Sequence, residues 1–358
     1  MSLNYNPITK IKVFGVGGAG CNVVNAMVED GMQGATFYAI NTDAQVLSEC
    51  AVENLILIGP TTTGGRGAGA DPKVGLQAAV ESQEELKEAV KDADMIFIAC
   101  GMGGGTGTGA GPFLAELAKA TGALTVGVVT KPFEYEGYKK NRIAVAGIEK
   151  MKEFVDALII VSNDRLAKTW GGQSLLAALK EADNVLRQSI QAITDLVGVK
   201  AKINLDFADV RTVMQNQGSA LIGVGISSPD NDGSNRAIEA AKNALDAPLL
   251  EANSIRGARK AIINVTGGTG MTLNEYQQAI EHITKEATCE GNEIEIIAGL
   301  AINERLGNQI VVTVIATGFI DDKQNMAEGP GDNIATPTKA VFQREEEELT
   351  FPEFFTNR

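Results

Sequence analysis

The sequence predicts an α/β fold: a parallel sheet covered on both faces by helices, joined through one long helix to a smaller mixed α+β domain. Three observations predict it. Short apolar runs, KIKVFGVG (10–17), TFYAINTD (36–43), LILIG, MIFIAC, LTVGVV and ALIIVSN, alternate with helical segments such as 72–91 and 138–153. Alternation of this kind argues for buried parallel strands with helices between them. Residues 174–198 carry Leu175, Leu176, Leu179, Leu186, Ile190, Ile193 and Val197 at spacings of three and four, which is one long helix. Beyond it, ALIGVGISS (220–228), AIINVTG (261–267), EIEIIAGLAI and QIVVTVIATG restart the pattern, with helices expected only near 234–246 and 272–287.

The bulk composition excludes several classes. The 358 residues suffice for two cores, 44% of them are apolar, and no apolar run is long enough to span a bilayer. MSLNYNPITK has neither a secretory core nor an arginine-rich amphipathic pattern, so the chain is expected in the cytosol. A net charge of −14 disfavours a nonspecific grip on nucleic acid or anionic lipid. Cys21, Cys50, Cys100 and Cys289 lack metal-ligand spacing, and His282, the single histidine, has no partner motif, so neither a zinc site nor a His-dependent triad is expected.

Along the first half, the strand 10–17 runs into GVGGAG (15–20) and a helix reaching to about Gly31, with Asp43 closing the second strand. By the letter this is a dinucleotide fingerprint. The next loop, TTTGGRGAGADP (61–72), ends on Asp71 and Pro72 at cap-like positions, or is a flexible connection. Then CGMGGGTGTGAGP (100–112) places seven glycines between the strand 92–99 and a helix with Pro112 at its expected first position. Strand, glycine turn and helix N-terminus make an anion site of backbone N–H groups. With no lysine in it, this is not the GxxxxGK[ST] loop, and an acidic chain holding polyphosphate implies bound magnesium as well. Two such loops on one sheet edge suit a mononucleotide with several phosphates better than a dinucleotide. In TKPFEYEGYKKNR (130–142), Glu136 follows a strand and could accept from a sugar, or belongs to a solvated turn.

GVGGAGCN, NTDAQ, GMGGGTGTGAGP, EADNVLRQ, NLDFADVRTVM and VTVIATGF, in this order, strongly resemble the FtsZ family of bacterial tubulin-like GTPases over roughly Ile8 to Phe319. The resemblance implies a tubulin/FtsZ-like fold with a GTP-binding domain (1–173), a central helix (174–198), a polymerisation domain (199–319), a disordered linker (320–347) and a partner-binding peptide (348–358). It implies that Gly17, Gly18, Ala19, Gly20, Cys21 and Asn22 of the first loop, and Gly103, Gly104, Gly105, Thr106, Gly107, Thr108 and Gly109 of the second, contact GTP or GDP, with Mg2+ held mainly by phosphates and water. Glu136 would hold the ribose and Lys140 would lie near the phosphates. Asn22, Asn163 and Asp183 match the guanine readers, and a carboxylate suits guanine's N1–H and N2–H₂.

Asn204, Asp206 and Asp209 match the family's catalytic loop, although two aspartates three apart are by themselves a helix cap or a solvated turn. Between Asp183 and Val199 the helix rises roughly 24 Å, so acids beyond its end cannot reach the nucleotide read near its start. They would act on a neighbour's GTP, in a head-to-tail filament of the cell-division ring. The terminal LTFPEFFTNR approximates the family's terminal peptide, and the resemblance implies that it binds a membrane-tethering division adaptor at a mid-cell site. Lys140 replaces a commoner arginine, Leu179 a stacking aromatic, and Trp170 stands in an atypical TWGGQ loop. The readings left standing are a polymerising GTPase, an NAD-dependent oxidoreductase, and a GTP-binding scaffold without turnover.

Overall fold

A computed structural model describes residues 9–164, 175–198, 206–228, 235–246, 255–288 and 294–319, the side chains of 175–182 and 198 excepted. Asn204, Trp170, Cys289, the Leu179 side chain, the expected linker 320–347 and the peptide 348–358 lie outside the described residues.

In chain order the first half runs β1 (Ile11–Val16), α1 (Gly17–Glu29), β2 (Ala35–Asn41), α2 (Ala44–Ser48), β3 (Asn54–Leu57), α3 (Pro60–Thr63), α4 (Pro72–Glu81), α5 (Gln83–Val90), β4 (Met95–Gly101), α6 (Thr106–Ala120), β5 (Leu124–Lys131), a 3₁₀ turn (Glu134–Glu136), α7 (Tyr138–Lys152) and β6 (Ala157–Ser162). Then follow α8 (Leu175–Gly198), α9 (Phe207–Met214), β7 (Gly218–Ile226), α10 (Arg236–Leu245), β8 (Lys260–Gly267), α11 (Leu273–Ala287), β9 (Glu295–Ile302) and β10 (Ile310–Thr317).

The described strands form one ten-stranded sheet in the order β3-β2-β1-β4-β5-β6-β7-β10-β8-β9. From β3 to β7 every pairing is parallel, β10 runs antiparallel to β7 and β8, and β8 pairs β9 in parallel. β4 shows why the parallel half forms: Met95 to Cys100 are all buried, as a strand covered on both faces requires. The two expected domains meet within this sheet, at a β6–β7 seam where Ala157, Leu158 and Ile159 pair with Gly218, Ser219 and Ala220. α8 buries Val185, Leu186, Ile190, Ile193 and Leu196 in the core shared with β1, β4, β5 and β6. In the second half, a buried Arg236–Glu275 ion pair clamps α10 to the start of α11, where Thr272 and Glu275 cap each other.

Two local expectations change, and one reading left open is decided in favour of the cap. The stretch 72–91 is two helices, because Ser82 leaves helical geometry and its hydroxyl accepts the Gly59 N–H at 3.1 Å. The loop 61–72 is not a flexible connection: Glu81 accepts the N–H groups of Thr61 and Thr62 at 2.8 and 2.9 Å, and Asp71 caps α4 by accepting the Lys73 N–H at 2.8 Å. Pro112 is not the first residue of its helix. α6 begins at Thr106, and Pro112 lies inside it, where the Thr108 carbonyl gains no donor four residues on.

The helical glycines of α6 explain that early start. A Cβ on Gly109 would stand 2.1 Å from the Pro72 carbonyl oxygen and 2.6 Å from the Leu76 nitrogen, so the backbones of α6 and α4 touch there. Gly109→Ala is therefore expected to cost about 3 kcal/mol, since neither backbone can move aside cheaply, and urea unfolding measures it.

Candidate functional site

A cavity of about 540 Å³ opens where the sheet order reverses between β1 and β4, a volume typical of small-ligand sites. In open α/β sheets ligands bind at such switch points, outside the carboxyl ends of the strands. The lining follows the sheet edge. From the end of β1 and the start of α1 come Val16, Gly17, Gly18, Ala19 and Asn22; from the end of β4 into α6 come Gly101, Met102, Gly104, Gly105, Thr106 and Gly107; Thr130, Pro132, Glu136 and Lys140 come from β5 and the segment after it, and Asn163 follows β6. α8 adds Asp183.

Two helices, α1 and α6, begin in this cavity, and neither carries an acid in its first turn. Their leading N–H groups have no partner within the helix, and both dipoles place positive potential there. Gly18 and Gly104 are the open positions: a Cβ on either would meet nothing within 4 Å. An anion can thus sit directly against the backbone. The Thr106 hydroxyl is held from behind by that of Thr42, 2.7 Å away in a buried contact.

The far end is polar in another way. Burial pushes the Asp183 carboxyl up to about 6, and the amide oxygen of Asn163 is buried without a hydrogen-bond partner among the described residues. Unsatisfied buried groups of this kind call for a polar ligand. The turn bearing Glu136 is fixed between the two ends. Glu136 accepts the Phe133 N–H at 2.9 Å and pairs with Lys140, while the Glu134 N–H is donated to Asp164 at 2.9 Å.

The sequence-predicted set is only partly brought together. Gly20, Cys21, Gly103, Thr108 and Gly109 do not line the cavity. Gly20 packs on β4, where a Cβ would stand 2.3 Å from the Ala99 carbonyl oxygen. The Cys21 thiol points into the core and donates to the Ile40 carbonyl at 3.6 Å. Thr108 is buried, and its hydroxyl accepts the Gly103 N–H at 2.9 Å. Arg142 is exposed and outside the lining. Asp43, the acid of the dinucleotide reading, caps α2 by accepting the Gln45 and Val46 N–H groups and is absent from the lining. The sequence reading missed Val16, which ends β1, Gly101 and Met102 at the end of β4, and Thr130 and Pro132 at and just after the end of β5.

Asp206 and Asp209 lie elsewhere. They form a reciprocal capping box at the start of α9: the Asp209 N–H is donated to Asp206 at 2.9 Å and the Asp206 N–H to Asp209 at 3.0 Å. α9 is anchored at the amino ends of the strands. Arg211 donates to the carbonyl of Gly122, just before β5, at 2.7 Å, and Lys119, near the end of α6, reaches Asn216 at 2.8 Å and pairs with buried Asp156. The eight residues of β5, at roughly 3.3 Å each, separate that edge from the cavity. The cap and the acid pair anticipated from sequence are the same two residues.

Residues 10–171 match the GTPase domain of the Tubulin/FtsZ family, and residues 218–320 match the C-terminal domain of the FtsZ family. A solved structure of an empty FtsZ dimer from M. jannaschii is 42% identical over 87% of this chain and 88% of that one, with a TM-score of 0.79. The chain belongs to the FtsZ family. Two Haloferax volcanii structures share the FtsZ fold at lower identity: CetZ2 in a GTPγS-bound protofilament (20% identical, 89% and 96% covered, TM-score 0.75) and CetZ1 as a GDP-bound monomer (22%, 87% and 95%, TM-score 0.75). As an FtsZ-family GTPase the chain binds guanine nucleotide and hydrolyses GTP. This overturns the NAD-dependent alternative. No helix among the described residues is long and apolar enough to cross a membrane.

Proposed function

We propose that the chain assembles head to tail into GTP-dependent filaments of the cell-division ring, each subunit's bound GTP being hydrolysed with the acidic loop of the next. The observation that carries this reading is polarity: the cavity lies at the carboxyl edge of the parallel strands, whereas Asp206 and Asp209 begin a helix anchored at their amino edge. A protomer so built is an incomplete hydrolase, and a heterologous contact that brings unlike ends together propagates instead of closing. The FtsZ dimer and CetZ2 protofilament among solved structures are consistent with such stacking.

The order of lining groups along the sheet suggests the pose. The α1 and α6 amides with Thr106 receive the phosphates, Glu136, beyond β5, takes the ribose, and Asn163 with Asp183 and Asn22 reads guanine. Asp206 and Asp209 of the incoming subunit, with Asn204, orient and polarise the attacking water; positioning and electrostatics then supply most of the catalysis, as in other phosphoryl transfers. At the phosphate end the lining offers amides and a hydroxyl but no carboxylate, which suits a magnesium ion held by phosphate oxygens and water. Bound there, Mg2+ would neutralise charge on the β and γ oxygens. The division into a GTP-binding domain, central helix and polymerisation domain, with a linker and a C-terminal peptide recruiting a membrane-tethering adaptor at mid-cell, belongs to the same proposal.

The test is phosphate release against protein concentration. Turnover per subunit is expected to rise steeply above an assembly threshold, in step with sedimentable polymer. Equal turnover by dilute monomer would sink the trans arrangement.

A further inference from the structure

Lys140 lines the cavity, yet its ammonium is committed to a protein partner. Glu136 accepts the Phe133 N–H through one carboxylate oxygen, and the other oxygen is ion-paired with Lys140, four residues on in the first turn of α7. The stem of Lys140 is placed by the second glycine loop. Gly103 stands at φ +103°, and a Cβ there would come within 2.9 Å of Lys140 Cγ, 3.0 Å of its carbonyl oxygen and 3.2 Å of Pro132 Cγ. Only a glycine leaves that track open. Gly103 is itself pinned by its N–H bond to buried Thr108. Gly103 in the loop and Thr108 in the first turn of α6, both absent from the cavity wall, thus serve the site at one remove by giving the lysine stem its bed.

We infer that Lys140 is a positioning residue for sugar recognition, holding the Glu136 carboxylate in one rotamer as an acceptor for the ribose hydroxyls. The inference rests on the reading of Glu136 as the sugar acceptor. Ionised, the carboxylate is acceptor-only and keeps lone pairs free after bonding Phe133 and Lys140, so it can take hydroxyl donors as well. The ammonium supplies the opposing charge and a charge-assisted hydrogen bond. Lys140 then acts on nucleotide choice through the carboxylate and not through the phosphates.

The readout is the affinity ratio of GTP to 2′-deoxy-GTP and to 3′-deoxy-GTP, measured by competition on the full chain. The unsubstituted chain is expected to prefer GTP over at least one of them by about tenfold, the worth of one hydrogen bond to a charged acceptor. Lys140→Met should bring that ratio close to one, while Lys140→Arg, which can still reach the carboxylate, should retain it. Glu136→Gln should collapse the ratio as Lys140→Met does, and the double variant should lose no more than either single. A Lys140→Met protein that keeps the ratio but weakens GTP more than GDP, and GDP more than GMP, would make the lysine a phosphate ligand and overturn the inference. An unchanged ratio in Glu136→Gln would instead overturn the sugar-acceptor reading beneath it. Thermal melts of each variant separate misfolding from lost recognition.

Discussion

Asp209→Ala protein is expected to bind GTP with unchanged affinity, to sediment as polymer, and to release phosphate at least about 100-fold more slowly, the usual worth of a positioned proton acceptor. The carboxylate lies outside the cavity, so its removal leaves the nucleotide's contacts intact. Because Asp209 also accepts the Asp206 N–H in the capping box, the variant should lose about 1 kcal/mol of stability, the ordinary cost of a lost cap. That loss is too small to unfold a domain, so the catalytic and structural effects separate in one protein. Phosphate release, nucleotide binding and pelleting on the same sample check it. Polymer that persists after GTP addition is the expected sign, whereas failure to bind nucleotide would reduce Asp209 to a purely structural role.

Asp183→Asn should act in the opposite sense on stability and as strongly on function. Burial lifts the Asp183 carboxyl from 3.8 in the unfolded chain to about 6 in the folded one. Below the unfolded value the group is neutral in both states and costs nothing. Between about pH 4 and pH 6 the folded state must retain a proton that the unfolded state has shed, so stability falls as pH rises. At pH 7 the buried charge costs on the order of 3 kcal/mol. Nucleotide-free Asp183→Asn is therefore expected to melt higher than the parent at pH 7 and nearly level with it at pH 4. Meanwhile GTP affinity should drop by roughly 100-fold, since an ionised acceptor matched to guanine's two donors becomes a half-donating amide. In the parent, GTP affinity should weaken as pH falls through about 6. A melt unaffected by the substitution at pH 7 would mean that the carboxylate is already satisfied by protein.

Much of this site was legible before any coordinates, and the misses share a cause. Asp183 was marked by the resemblance of EADNVLRQ to the family's guanine reader, and its place amid the three-and-four apolar spacing of α8 suits a surface charge poorly, while Asp71 with Pro72 announced α4 through local chemistry alone. The glycine loops were harder. A glycine records that something comes close to it but not what: Gly18 and Gly104 face open space, while Gly20 and Gly109, a few residues away, face a strand and a helix of the same chain. Hence the start of α6 was placed too late. Ser82 breaks the helix 72–91 through a bond to Gly59, a partner 23 residues away that no local pattern displays. The cap made by Asp206 and Asp209 was foreseeable from their spacing, whereas its anchoring to Gly122 depends on a contact 89 residues apart in the chain.

One rod, α6, starts among the cavity amides and ends beside the bonds from Lys119 and Arg211 that moor α9. At about 1.5 Å per residue its fifteen residues span roughly 22 Å, with Pro112 leaving out one hydrogen bond midway. Such a strut sets the separation between grip and mooring, so the length of α6 is a ruler for how far the nucleotide stands from the α9 end of the same subunit.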